Sequence, residues 1–110
     1  EKKSLLGICY GAEILALTLG GTIRKSPKSV KGEEIIVIEK ENKLCQGKIN
    51  AYESHNYEIS QLGNYLQGLA SSQSCKYEII RHIKHDIFGT QFHPEMSDDG
   101  KSIIQNFLLV

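Results

Sequence analysis

Apolar positions fall into short runs divided by polar stretches, and their period changes along the chain. "SLLGI" (4–8) is short, mostly apolar and stopped by a turn, which predicts a strand. "GAEILALTL" (11–19) is Ala/Leu-rich and nearly apolar all round, and Gly20-Gly21 follow it. This predicts a buried helix with a glycine stop. "GTIRKSPKSVKG", punctuated by Pro27 and Gly32, reads as a polar connection. "EEIIVIEK" (33–40) has the β-branched density of a strand. "KINAYESHN" (48–56) reads as a strand running into a loop, and "YLQGLASSQ" (65–73) as a weaker strand. "YEIIRHIKH" (77–85) alternates loosely, and "IFGTQFHPE" (87–95) is a strand that stops at Pro94. In "DDGKSIIQNFLLV", Ile103, Ile104, Phe107 and Leu108 recur at helical spacing, with Asp98 and Asp99 near the start. Strand–helix units at both ends with strands between them predict an α/β layer structure.

Composition narrows the class. The chain has 110 residues, enough for one small domain. Thirteen Lys+Arg balance thirteen Asp+Glu, which argues against a nucleic-acid or anionic-membrane role driven by bulk charge. No apolar run approaches the roughly 18 residues of a membrane span, and no signal peptide is visible. Cys9, Cys45 and Cys75 are odd in number, widely spaced and form no CxxC. A disulfide framework or a zinc site is therefore not expected, and a reducing, cytoplasmic compartment fits. Cys45 and Cys75 read as structural. The chain lacks an initiator Met and opens almost directly on an apolar strand, so further residues upstream are expected.

The chemistry concentrates in two places. In "GICYG" (7–11), Cys9 sits at a strand-to-helix turn between Gly7 and Gly11. The glycines let the backbone turn without a Cβ clash. The positive end of the helix is expected to lower the thiol pKa and to supply a donor for an oxyanion. G-x-C-x-G is thus the cysteine analogue of a nucleophile elbow; the bland alternative is a small buried hydrophobe beside two structural glycines. Of the four histidines, His82 and His85 read as solvated surface residues, and His55 lies in the middle segment. His93 ends an apolar strand and is followed by Pro94 and Glu95. On a strand beside that of Cys9, His93 would reach the thiol, and Glu95 would orient the imidazole.

"GICYG" together with "QFHPE" resembles the class I, triad-type glutamine amidotransferases. "LGGTI", "ESHNYEI" and "LASSQSCKYEIIRH" between them resemble the GMP synthetase branch. The resemblance covers almost the whole chain. It implies an open α/β sheet sandwiched by helices, flavodoxin-like, with residues 1–110 forming the C-terminal part of a single glutaminase domain. It implies Cys9 as nucleophile toward the side-chain amide of L-glutamine, His93 as the proton-transfer group and Glu95 as its orienting partner. The Tyr10 backbone N–H would be an oxyanion donor. Glu13 and the segment Ser54, His55 and Asn56 would hold the amino-acid end of glutamine. No metal or cofactor is implied for the glutaminase. Ammonia would pass to a synthetase of the ATP-pyrophosphatase type, which uses ATP and Mg to aminate XMP to GMP.

Two departures from the family stand out. The family commonly reads G-x-C-x-G-His-Gln, whereas this chain has Ala12-Glu13. An ionised Glu only accepts hydrogen bonds and opposes a nearby thiolate. Family members also carry several strands and helices before the nucleophile, including a second oxyanion donor. Two alternatives therefore stay open: a γ-glutamyl hydrolase-like cysteine hydrolase, and a truncated, non-catalytic binding or regulatory remnant.

Overall fold

Leu5–Ile8 form strand β1, and Tyr10–Thr18 form helix α1. Four strands follow: β2 (Thr22–Ile38), β3 (Lys48–Gln61), β4 (Leu66–Ser71) and β5 (Ile79–His82). Strand β6 (Ile87–Thr90), a 3₁₀ turn (Pro94–Met96) and helix α2 (Asp98–Leu108) complete the order. These elements come from a computed structural model, which describes residues 3–110. The strands form one six-stranded sheet in the order β1-β6-β5-β4-β2-β3. Among the described residues only β1 and β6 pair in parallel; the other pairings are antiparallel.

The two helices lie on opposite faces, as the sandwich expectation requires. Side chains of a strand alternate between faces. Ile79 packs with Phe88 and Ile103 of α2, while its neighbour Ile80 packs with Ala12 and Ala16 of α1. Phe88 meets Phe107 of α2 edge to face, with ring centroids 6.3 Å apart. Gly89, the next residue, faces α1, where an added Cβ would stand 3.0 Å from the Ala12 methyl. The end of α1 follows the expected glycine stop. The Gly21 N–H reaches the Ala16 carbonyl at 2.7 Å and the Gly20 N–H reaches Leu17 at 3.3 Å. Gly20 takes φ of 89°, completing a Schellman motif.

Three expectations are corrected. The polar stretch after Gly21 is not a connection; β2 runs through it and pairs with β3 along almost its whole length. Pro27 lies where the register shifts between Lys25 and Val30, so its missing N–H breaks no ladder bond. Residues 48–56 do not run into a loop, because β3 continues to Gln61, held by that same pairing. β6 ends at Thr90, short of Pro94; an isolated bridge between Tyr52 and His93 takes over there.

Helix α2 supports the segment that carries His93. The Ser97 hydroxyl accepts the Gly100 N–H at 2.9 Å, and the Asp99 carboxylate accepts the Asn50 N–H of β3 at 2.8 Å. Asp98 and Asp99 also suit the positive end of the helix. Ser97→Ala is expected to destabilise the full chain by about 1 kcal/mol, while Ser97→Asp keeps the cap. Urea unfolding of the three proteins checks this, and an unchanged midpoint for the alanine variant contradicts it.

Candidate active site

Cys9 sits in a strained backbone. Its φ of 53° and ψ of −104° make it the one non-glycine residue with positive φ among the described residues. Such a conformation costs of order 1–3 kcal/mol and persists only where surrounding bonds impose it. Here the Cys9 N–H is held by the Thr90 carbonyl at 2.6 Å, and its own carbonyl accepts the Glu13 N–H at 3.1 Å as the first bond of α1. Gly7 is required at this turn: an added Cβ would meet the Gly11 carbonyl carbon and oxygen at 2.9 Å. Gly11 is different, because a Cβ there meets nothing within 4 Å. The expectation that both glycines relieve a clash thus holds for Gly7 alone.

His93 reaches the neighbourhood by the parallel pairing. β1 and β6 lie side by side in one direction, Ile8 opposite Thr90, so Cys9 and His93 leave the sheet at the same end. The His93 N–H donates to the Tyr52 carbonyl at 2.8 Å, tying the segment to β3. The His93 Nδ1 bonds a Glu95 carboxylate oxygen at 2.9 Å. A carboxylate accepts only, so Nδ1 carries the hydrogen and the neutral ring has its lone pair on Nε2. Nε2 makes no hydrogen bond among the described residues, and none joins it to Cys9.

The thiol stands among acids. Its Sγ lies 3.7 Å from the Ser54 carbonyl and 4.0 Å from Gln91 Nε2. The Cys9 pKa is raised, first by burial and then by the charge of Glu13, with Glu53 and Glu95 adding to it. The Tyr10 N–H, which hydrogen-bonds toward the sulfur, opposes them. The expected lowering by the helix end is therefore outweighed. Tyr10 itself is 70% exposed, so only its backbone serves the site.

Glu13 is buried near the same sulfur. Its carboxylate accepts a hydrogen bond from Gln91 Nε2 at 2.8 Å. Gln91 is 1% exposed, and its Oε1 has no partner among the described residues. Nothing in the sequence reading singled out Gln91. Its signal was its place two residues before His93, inside the same motif.

The middle segment divides by strand alternation. Ser54 and Asn56 are exposed, and Asn56 Oδ1 accepts the Ser29 hydroxyl at 2.6 Å. His55 turns inward. One ring nitrogen bonds the Tyr57 carbonyl at 2.9 Å and the other Glu53 at 2.7 Å, so neither is open to a substrate. His85 is exposed, but His82 is 8% exposed and lies between the rings of Tyr65 and His85. Packing there overrides the solvated reading of His82, and burial, ahead of its basic neighbours, lowers its pKa. Cys75 is buried, and burial raises the Cys45 thiol to about 11. Among the described residues no group of three or more metal-ligating side chains gathers, and no helix is long and apolar enough to cross a membrane.

The structure thus sets a cysteine on a strained strand–helix turn and a His–Glu pair just beyond the end of the adjacent parallel strand. The family profile "Glutamine amidotransferase class-I" matches residues 1–110, and the chain belongs to that family. Among curated relatives, a glutamine-hydrolyzing GMP synthase subunit from Ignicoccus hospitalis is 34% identical over 97% of this chain and 60% of that protein. The corresponding protein of Sulfolobus acidocaldarius is 36% identical over 96% of this chain and 58% of that protein. The chain thus spans about 60% of the length of the curated relatives it matches. A crystal structure from Thermoplasma acidophilum, assigned as a GMP synthase subunit, superposes with a TM-score of 0.91 at 30% identity, covering 98% of this chain and 57% of that one. A glutamine amidotransferase from Thermotoga maritima shares the fold, with a TM-score of 0.75 at 20% identity over 94% of this chain and 46% of its own.

Glu13→Gln removes a negative charge beside the sulfur and keeps an oxygen for Gln91, so the thiolate becomes easier to form. The pH midpoint of Cys9 alkylation by iodoacetamide is expected to fall. The rate at pH 7 should rise about threefold to tenfold, the equivalent of half to one pKa unit. An unmoved midpoint contradicts this. For the turn itself, Gly7→Ala is expected to cost about 1–3 kcal/mol of stability through overpacking. Gly11→Ala should be neutral or up to about 1 kcal/mol stabilising. Denaturant titration of both variants distinguishes them.

Proposed function

We propose that this chain carries the catalytic centre of a glutaminase that supplies ammonia to a synthetase. The observation that carries the reading is the strained Cys9 turn, with the Tyr10 N–H at its sulfur, at the same sheet end as the His93–Glu95 pair that follows the neighbouring parallel strand. In the first half-reaction the thiol proton passes to His93 Nε2 as Sγ attacks the side-chain amide carbon of L-glutamine. The oxyanion accepts the Tyr10 N–H. His93 returns the proton to the leaving nitrogen, ammonia departs, and a glutamyl thioester remains. In the second, His93 takes a proton from water, hydroxide attacks the thioester, and glutamate leaves as the proton returns to Sγ. Glu95 keeps Nδ1 protonated throughout. Ser54, Asn56 and Glu13 supply, on this reading, the polar groups for the amino-acid end of glutamine.

The relatives support a particular acceptor. They are named as subunits of glutamine-hydrolyzing GMP synthases; on this reading the ammonia goes to a separate synthetase of the ATP-pyrophosphatase type, which would aminate XMP to GMP with ATP and Mg. The glutaminase half needs no cofactor of its own, and the cytoplasm is its expected compartment. One observation favours the alternative of a non-catalytic remnant: Glu13 and burial hold the thiol protonated where a reactive cysteine is usually activated. Labelling of Cys9 by a glutamine-analogue electrophile separates the two readings.

In the full chain with its synthetase, Cys9→Ala is expected to abolish glutamine-dependent GMP formation and to spare ammonia-dependent formation. His93→Ala should behave alike. Glu95→Ala should fall less, because an orienting group is less essential than the base. Parallel assays with glutamine and with ammonium salt check this; equal loss of both activities in Cys9→Ala would rule out the assigned role.

A further inference from the structure

Gln91 takes part in no step of the reaction above, yet the backbone that carries it is fixed on every side. It is the first residue after β6 and is 1% exposed. Its N–H donates to the Glu78 carbonyl at 2.8 Å. Before it, the Thr90 carbonyl holds the Cys9 N–H at 2.6 Å, and the Thr90 hydroxyl donates to the Phe92 carbonyl at 3.0 Å. After it, Phe92 is fully buried and the His93 N–H is held by the Tyr52 carbonyl.

The orientation of the amide follows from its partner. The Glu13 carboxylate accepts only, so the nitrogen end of Gln91 faces it, at 2.8 Å. The carbonyl end turns elsewhere, and Oε1 has no partner among the described residues. Such an orphan costs about 1–3 kcal/mol. Reversing the amide gives no relief, because it would set two oxygens against each other. The amide nitrogen carries two hydrogens. Glu13 takes one, and Cys9 Sγ lies 4.0 Å from the same nitrogen, within reach of the other.

What the sulfur needs changes during the reaction. At rest the thiol is itself a donor, and the Ser54 carbonyl at 3.7 Å is its acceptor. Once the proton has left, the sulfur only accepts, and that carbonyl can no longer bond it. The charged groups that bear on it are Glu13 of α1, Glu53 of β3 and Glu95 of the 3₁₀ turn, and a carboxylate has nothing to donate. The His93 Nδ1 hydrogen is taken by Glu95. Donors reach the sulfur from two sides: the Tyr10 N–H from the helix and the Gln91 amide from the sheet. A hydrogen bond to an ion is shorter and roughly twice as strong as a neutral one, so a long contact to the thiol tightens as charge develops.

We propose that Gln91 is a catalytic residue of this site. With one amide hydrogen anchored on Glu13, it turns the other toward Cys9 Sγ. There it stabilises the negative charge that the sulfur carries as it attacks and again as it leaves the thioester. Glu13 thereby has two opposed effects: its charge repels the thiolate, and its oxygen aims a donor that stabilises it.

The kinetic arm of the test rests on the glutaminase reading; the others do not. In the full chain, Gln91→Met keeps the length of the side chain and removes the donor. The pH midpoint of Cys9 alkylation by iodoacetamide should rise by about half to one pKa unit, so that the rate at pH 7 falls about threefold to tenfold. The kcat should fall about tenfold, with KM moved far less. An unmoved midpoint overturns the proposal. In the Glu13→Gln background, where position 13 offers an oxygen without a charge, Gln91→Met should raise the midpoint by the same amount. A rise in the parent with none in that background would mean that Gln91 only screens the Glu13 charge, and overturns the proposal too.

Should Gln91→Met not fold, NMR of the parent decides. The Gln91 amide hydrogen not taken by Glu13 is expected to move downfield as Cys9 ionises, with the midpoint of the alkylation profile. Over the same range it should stay still in Cys9→Ala. A hydrogen that does not follow the thiol, or that moves equally in Cys9→Ala, overturns the proposal. A parent that shows the coupled amide signal and the alkylation pattern but hydrolyses no glutamine sinks the proposed function and leaves Gln91 as the donor to the Cys9 sulfur.

Discussion

The site depends on the parallel pairing of β1 with β6, closed by the 2.6 Å bond from the Cys9 N–H to the Thr90 carbonyl. Every other pairing in the sheet is antiparallel, and antiparallel neighbours bring opposite ends together. Among the described residues only this pair sends two chain segments out at one end, Cys9 after β1 and His93 after β6. The same bond anchors the positive φ of Cys9, because it fixes the residue from the strand side while α1 fixes it from the helix side. Gly7 completes the turn by letting the α1 backbone approach β1 closely.

The electrostatics around the sulfur are those of a protected thiol. Burial, Glu13, Glu53 and Glu95 all disfavour the thiolate, and the Tyr10 N–H opposes them. On the proposed reaction, this matches a site in which the proton leaves Sγ only as the carbon–sulfur bond forms, with a free His93 Nε2 as acceptor. A resting thiolate–imidazolium pair would need the opposite balance.

Much of the fold was legible in the residues. The glycine pair after Leu19, the β-branched run at 33–40 and the apolar spacing of 103–108 each carry a local signal strong enough to place an element. The readings that failed lie where a partner strand overrides local preference. Residues 22–32 hold Pro27, lysines and serines that would suit a loop, yet β3 pairs with them on both sides of the break at Pro27. His82 has the composition of a surface residue and the burial of a packed one, because Tyr65 and His85 close over it.

The candidate centre divides in the same way. The sequence by itself determined the local chemistry: a cysteine at a glycine-flanked turn, and a histidine two residues before a glutamate that its Nδ1 then bonds. Those pairs are a few residues apart, so backbone geometry alone brings them together. Tertiary structure decided whatever spans long separations. It joined Gln91 to Glu13, and it turned His55 inward onto Glu53 and the Tyr57 carbonyl. An acid within an apolar strand looks the same in sequence whether it meets solvent, a base or a second acid. The difference lies in which strand packs against it, and only the folded sheet specifies that neighbour.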